Sequence, residues 1–238
     1  MKKANVIIAN RGRDEHLNIC LKHLNLANVQ DKYDVTVYVV YDDVHTIEQL
    51  VNNKYSHINV IRLFKPVLSD EFNKAALLNY GLKVMRQNFS REDFSFVSIV
   101  DADMIYSELF FDTIASKAIE KEYIVCHGRN HDYSVNRGPS QITLTSKLYY
   151  LFLEIYGENL YDEAFIGYGA EDSELSFKAN DMRDVGLLRK ISLPNMWVHM
   201  YHEKRTINEK NIELFNIKRE LNKEILRRWL YVNSNTNV

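Results

Sequence analysis

The sequence predicts an α/β protein, a single Rossmann-like domain with a mainly parallel central sheet flanked by helices on both faces. Three observations carry this. Apolar, β-branched runs alternate with stretches of helical spacing through residues 4–105. The chain ends in one long amphipathic stretch. Its 238 residues, 46% hydrophobic and 26% charged, suit one globular domain.

In chain order, residues 4–10 (ANVIIAN) form the first strand. Residues 15–27 carry Leu17, Cys20, Leu21 and Leu24 at helical spacing. Residues 33–42 (YDVTVYVVYD) and 58–64 (INVIRLF) are strands rich in β-branched residues. Residues 72–88 read as a helix with Phe72, Ala75, Ala76, Asn79, Leu82 and Lys83 on one face. Residues 94–105 (FSFVSIVDADMI) form a buried strand that ends in acids. Beyond it come short strands at 123–127 and 140–145, a helix at 146–157, and a Gly-Tyr-Gly segment. Residues 208–232 form the C-terminal helix.

Composition narrows the functions open to the chain. A formal net charge of -2 gives no general attraction to nucleic acid. No apolar run approaches the roughly 18–20 residues of a membrane span. The N-terminal segment, a short apolar run broken by Asn10 and Arg11, reads as a first strand rather than a signal peptide. Cys20 and Cys126 have no metal-ligand spacing and read as buried free thiols. A cytoplasmic location is expected.

Four stretches carry chemistry. Asp101 and Asp103 fall at a strand end, where open α/β sheets place ligands. Strand alternation puts both carboxylates on one side, where they repel unless a cation lies between them. The alternative is a turn in which Asp101 caps the next element. His199 and His202 are three apart, and imidazoles suit Mn²⁺ or Zn²⁺ better than Mg²⁺. They read otherwise as ordinary surface or core histidines. Arg11 and Arg13 follow the first strand, where guanidinium groups suit phosphate or nucleobase. The alternative is a solvated helix start. In GYGAED (167–172) two glycines precede the adjacent acids Glu171 and Asp172, more than a helix cap needs.

Taken in order, these segments resemble the β-1,4-galactosyltransferase family and its bacterial relatives, metal-dependent glycosyltransferases of the GT-A fold. IIANRGRDEHL (7–17) resembles the first-strand Pro-Phe-Arg-Asn-Arg motif, with Ala9-Asn10 in place of Pro-Phe. FNKAALLNYG (72–81) resembles Phe-Asn-Arg-Ala-x-Leu-Leu-Asn-x-Gly, with Lys74 for arginine. VDADM (100–104) resembles the Asp-x-Asp segment, and GYGAEDSEL (167–175) resembles Gly-Trp-Gly-Gly-Glu-Asp-Asp-Asp. HMYHEKRTINEKN (199–211) resembles Met-x-x-His followed by Asn-Glu.

The resemblance implies roles. Arg11, Arg13, Phe72, Asn73, Lys74, Asp101 and Ala102 would line the UDP-sugar donor. Asp103, His199 and His202 would hold Mn²⁺, with His199, where vertebrate members carry methionine, widening tolerance towards Mg²⁺. Tyr168, Gly169 and Glu171 would meet a saccharide acceptor. Asp172 would be the catalytic base, kept ionised by the helix N-terminus. Residues 1–105 would form the nucleotide-binding half, 106–205 the acceptor and catalytic half, and 206–238 a loop and the C-terminal helix. Small Gly138 or Pro139 would leave room for an N-acetyl group on the donor sugar. The loop 203–212 would close over the donor. The acceptor would be a saccharide or lipid-linked saccharide in surface polysaccharide synthesis.

Two further points stay open on the sequence. The C-terminal helix either packs on the domain or lies peripherally on a membrane through Lys218, Arg219, Lys223, Arg227, Arg228 and Trp229. A nucleotidyltransferase that makes sugar nucleotides, or a non-catalytic nucleotide-sugar-binding module, would share the βαβ start and the acids.

Overall fold

The computed structural model describes residues 1–42, 55–66, 71–89, 93–136, 138–167, 169–202 and 208–235. The N-terminal half is the expected alternation. Strands β1 (Lys2–Asn10), β2 (Tyr33–Tyr41), β3 (Asn59–Phe64) and β4 (Phe96–Asp101) lie in the order β3-β2-β1-β4, all parallel. Helices α1 (Asp14–Leu26) and α2 (Lys74–Asn88) cover its two faces.

Alternation along β1 explains the two-sided core. Val6 and Ile8 join one apolar cluster with Leu17, Leu21, Phe110 and Trp197. Ile7 points the other way, into a cluster with Leu78, Leu82, Phe152 and Leu175. Helix α2 lies so close that a Cβ on Gly81 would stand 2.8 Å from the Ile7 side chain and 2.9 Å from that of Val40.

Beyond β4 the sheet turns mixed. The short strand β5 (Met104–Tyr106) and helix α3 (Phe110–Ala115) lead to β6 (Glu122–Arg129), β7 (Val135–Asn136) and β8 (Ile142–Thr145). Helices α4 (Ser146–Tyr156) and α5 (Glu171–Asp184) precede β9 (Arg189–His199), and α6 (Glu209–Asn235) closes the chain. The described strands form one sheet, β3-β2-β1-β4-β8-β6-β9-β5, with β7 paired to β6. β8 runs antiparallel to β4 and β6, while β9 runs parallel to β6.

Two details depart from the sequence reading. The run 94–105 is not one strand: β4 ends at Asp101, and β5 leaves it to pair antiparallel with β9. β9 itself carries Pro194 and lies where the sequence reading placed no strand. The C-terminal helix packs on the domain. Phe215 meets Phe177 edge-on at 5.2 Å, Arg219 lies over that same Phe177 ring at 4.6 Å, and Leu226 is buried. Trp229 is partly buried against the second core cluster. Among the described residues no helix is long and apolar enough to cross a membrane. Cys20 and Cys126 are buried free thiols, and burial raises the pKa of both.

Candidate active site

The end of β4 builds the site. Asp103 sits in the turn between β4 and β5 and is 2% exposed. The β5–β9 ladder sets Met104 opposite His199, and Met200 N–H donates to the Asp103 carbonyl at 2.8 Å. Backbone pairing thus brings the acid to the two histidines. Asp103 Oδ2 lies 3.8 Å from His199 Nε2 and 3.1 Å from His202 Nε2. One ligand atom from each of the three lies within 4.8 Å of the others. Arg13, at the start of α1, donates from Nη1 to the same Asp103 Oδ2, and its Nη2 is 3.5 Å from His202 Nδ1.

A second cluster forms around Lys74 at the start of α2. Its ammonium lies 2.8 Å from Asp101 Oδ1, 2.8 Å from Asp172 Oδ2 and 3.6 Å from Glu171 Oε1. Gln141, just before β8, fixes Asp101 from both sides: its Nε2 donates to Asp101 Oδ2 at 2.6 Å, and its Oε1 accepts from Asp101 N–H at 2.9 Å. The two aspartates of the Asp-x-Asp segment therefore diverge. The expectation that both face one cation fails because the strand ends at Asp101, so alternation does not carry through to Asp103.

The approach to Asp172 is shaped by an unusual backbone. Gly167, Gly169 and Ala170 have φ of 83°, 102° and 78°. Gly167 N–H donates to the Phe72 carbonyl at 2.9 Å. The first turn of α6 holds the other side: Asn208 Nδ2 and Asn211 Nδ2 both donate to Ile166 O at 3.0 Å, and Asn211 reaches Gly169 O at 3.0 Å. Ala170 precedes α5 without any side-chain cap, so Glu171 and Asp172 open the helix directly.

No protein-family model matches the chain, and no curated protein matches it by sequence. Solved structures do match by fold. Residues 1–349 of TarS from S. aureus, in complex with UDP-GlcNAc, superpose with a TM-score of 0.67 at 14% identity, over 97% of this chain and 72% of that one. The catalytic domain of Drosophila β1,4-galactosyltransferase 7, in complex with xylobiose, gives 0.55 at 14% identity over 91% and 80%. A mutant of the same Drosophila protein with manganese, UDP-Gal and xylobiose gives 0.56 at 13% identity over 89% and 79%.

The chain has the GT-A glycosyltransferase fold.

Within this GT-A frame most of the sequence-derived candidates gather in two clusters. Arg13, Asp103, His199 and His202 come together, as do Lys74, Asp101, Glu171 and Asp172. Arg11 sits beside them at the end of β1 but pairs with Asp42 at 3.2 Å. Of the other donor-side candidates, Asn73 Oδ1 caps α2 at Ala76 N–H and its Nδ2 donates to Glu163 O, Ala102 is buried, and the Phe72 carbonyl accepts from Gly167 N–H. Tyr168 and residues 203–207 of the predicted closing loop lie outside the described residues. Sequence reading missed Gln141 and Asn211, lone amides whose partners are distant in the chain.

The electrostatics of the GT-A site are tuned by burial. Burial pushes the Asp172 carboxyl up to about 7, with Glu171 and Asp101 adding to the rise and Lys74 opposing it. The helix N-terminus does not keep Asp172 in the ordinary carboxylate range, because desolvation outweighs it. For Asp101, burial works against ionisation, but the Lys74 charge and the hydrogen bonds from Lys74 and Gln141 hold it below its usual value. Burial would lower Lys74, yet its three carboxylate neighbours keep it well above the usual lysine value. Burial and the neighbouring His202 bring His199 down to about 4, leaving it a neutral imidazole.

The triad fits a divalent cation. One carboxylate and two imidazoles are a donor set for Mn²⁺ or Zn²⁺, and Asp103 Oδ1 is buried without a hydrogen-bond partner among the described residues. Asp172 Oδ1 is likewise buried and unpartnered, a proton acceptor beside the Lys74 cluster.

Proposed function

We propose that the chain is an inverting, metal-dependent glycosyltransferase. It moves a hexose or N-acetylhexosamine from a UDP-sugar to a hydroxyl of a saccharide or lipid-linked saccharide. The single observation that carries this is Asp172: Lys74 holds one of its oxygens and Asp101, two residues before Asp103, while its other oxygen has no hydrogen-bond partner among the described residues. A base poised near neutrality thus stands beside a cation-binding triad, as the transfer requires.

Asp172 Oδ1 takes the proton of the acceptor hydroxyl as that oxygen attacks the anomeric carbon. The new C–O bond forms as the bond from the anomeric carbon to the diphosphate oxygen breaks, and UDP departs. Lys74 keeps Asp172 oriented, and Glu171 supports the acceptor. Asp103, His199 and His202 would hold Mn²⁺ or Mg²⁺, which supplies Lewis-acid stabilisation of the departing diphosphate. The left-handed backbone of Gly167, Gly169 and Ala170 lets the acceptor come close to Asp172. The sugars bound by TarS and the Drosophila enzyme support a UDP-linked donor.

The test is UDP release from a panel of UDP-sugars with Mn²⁺, Mg²⁺ or a chelator. Metal-dependent release from one sugar, lost in Asp103→Ala, is the expected result. Failure of the protein to bind UDP with any metal would overturn the reading, and pyrophosphate release from a nucleoside triphosphate would replace it with nucleotidyl transfer.

A further inference from the structure

The oxygen of Asp103 that faces both imidazoles is also the one that Arg13 grips. Asp103 Oδ2 accepts from Arg13 Nη1 and lies 3.1 Å from His202 Nε2 and 3.8 Å from His199 Nε2. A cation held by this triad and the guanidinium of Arg13 compete for one atom. A carboxylate this deeply buried needs a positive partner at all times, since an unpaired buried charge is strongly destabilising. Arg13 is the partner placed to move: its side chain is 27% exposed, it makes no side-chain cap on α1, and it follows Gly12, where an added Cβ would meet nothing within 4 Å.

We propose that Arg13 is the resident counter-ion of Asp103, displaced by the incoming divalent cation and then rebound to the diphosphate that the cation carries. The proposal rests on reading the triad as the metal site of a nucleotide-sugar enzyme. A guanidinium suits both partners, because its planar fork matches carboxylate and phosphate oxygens alike. The exchange leaves each anion neutralised before and after. It also makes bare metal a weak ligand, since the cation must evict Arg13, and makes metal and UDP bind cooperatively, with equal effect in both directions.

The experiment is calorimetric titration of the full chain with Mn²⁺ alone and with UDP in saturating Mn²⁺, for wild type, Arg13→Met and Arg13→Lys. Arg13→Met should bind Mn²⁺ alone about tenfold tighter and UDP with Mn²⁺ about tenfold more weakly, the size of one charge-assisted contact. Arg13→Lys should keep Mn²⁺ binding near the wild-type level. Weaker Mn²⁺ binding in folded Arg13→Met would overturn the proposal, because Arg13 would then only order Asp103. A second measurement avoids any variant that fails to fold. The Arg13 side-chain NMR signal of the wild type should move on adding Mg²⁺ and move again on adding UDP, and a signal indifferent to Mg²⁺ that is bound also overturns it. Wild type that binds no metal even with UDP, like Asp103→Asn that binds it normally, would instead sink the metal-site reading itself.

Discussion

One oxygen of Asp172, Oδ2, lies 2.8 Å from Lys74 Nζ, and the other, Oδ1, is buried without a hydrogen-bond partner among the described residues. Lys74 thus orients the carboxylate and lowers its affinity for a proton. Replacing Lys74 with methionine should move the acid limb of the kcat/KM profile upward by about one pH unit or more. It should also cost about 3 kcal/mol of stability, since Asp101, Glu171 and Asp172 would be left without their cation. Lys74→Arg should recover most of the stability. An unmoved pH profile in Lys74→Met would count against the coupling.

Asp172 predicts a pH signature in both rate and stability. With its carboxyl raised to about 7, kcat/KM should rise with pH and level off above that value. Asp172→Asn should lower kcat by roughly a hundredfold to ten-thousandfold while UDP still binds with metal. The folded carboxyl binds its proton more tightly than the unfolded one, whose ordinary value is 3.8. Its contribution to stability is therefore complete below that value and lost as pH rises to about 7. Asp172→Asn should gain stability relative to wild type between pH 5 and 8. Urea unfolding at both ends of that window measures it, and a constant difference would mean that the carboxyl is not raised.

His199 predicts the choice of metal. Replacing it with methionine puts a soft thioether where a neutral imidazole stands, and thioether ligands disfavour Mg²⁺. The ratio of Mg²⁺-supported to Mn²⁺-supported UDP release should fall about tenfold, the effect of 1.4 kcal/mol. An unchanged ratio would mean that His199 does not contact the ion.

Ala170, at φ 78°, is a left-handed alanine immediately before α5. The conformation costs an L-residue about 1–2 kcal/mol, part of which glycine would give back in unfolded-state entropy. Ala170→Gly should therefore raise stability by about 0.5–1 kcal/mol, read as a melting-temperature increase of about 2 °C. A lower melting temperature would show that the methyl group packs usefully there.

Asn211 ties the segment that precedes α5 to α6 through Ile166 O and Gly169 O. Asn211→Ala should cost about 1–3 kcal/mol and raise the acceptor KM more than the donor KM. Equal changes in the two would place its effect elsewhere in the fold.

The order of elements was legible because each has a local cause. Strand β2 is a run of β-branched and aromatic residues, and α1 repeats Leu17, Cys20, Leu21 and Leu24 at helical spacing. The motifs were legible because GYGAED and VDAD place unusual residue types side by side. β9 was hidden because its burial follows no period of two and Pro194 and the left-handed Asn195 interrupt it. Gln141 and Asn211 were hidden because an amide acquires meaning only through its partner, and theirs lie 40 and 42 residues away.

The sequence by itself determined the alternating strands and helices through β4, the C-terminal helix, and the set of acids, histidines and arginines, since these follow from periodicity and residue chemistry along a short stretch. Only the tertiary structure decided how those charges pair. It parted Asp101 from Asp103 by ending β4 between them, gave Asp103 to the histidines through the β5–β9 ladder, and set Lys74 among three carboxylates from two distant segments. Charge pairing depends on distances across the sheet and on burial. Neither is a property of local sequence, and both depend on which strands lie side by side.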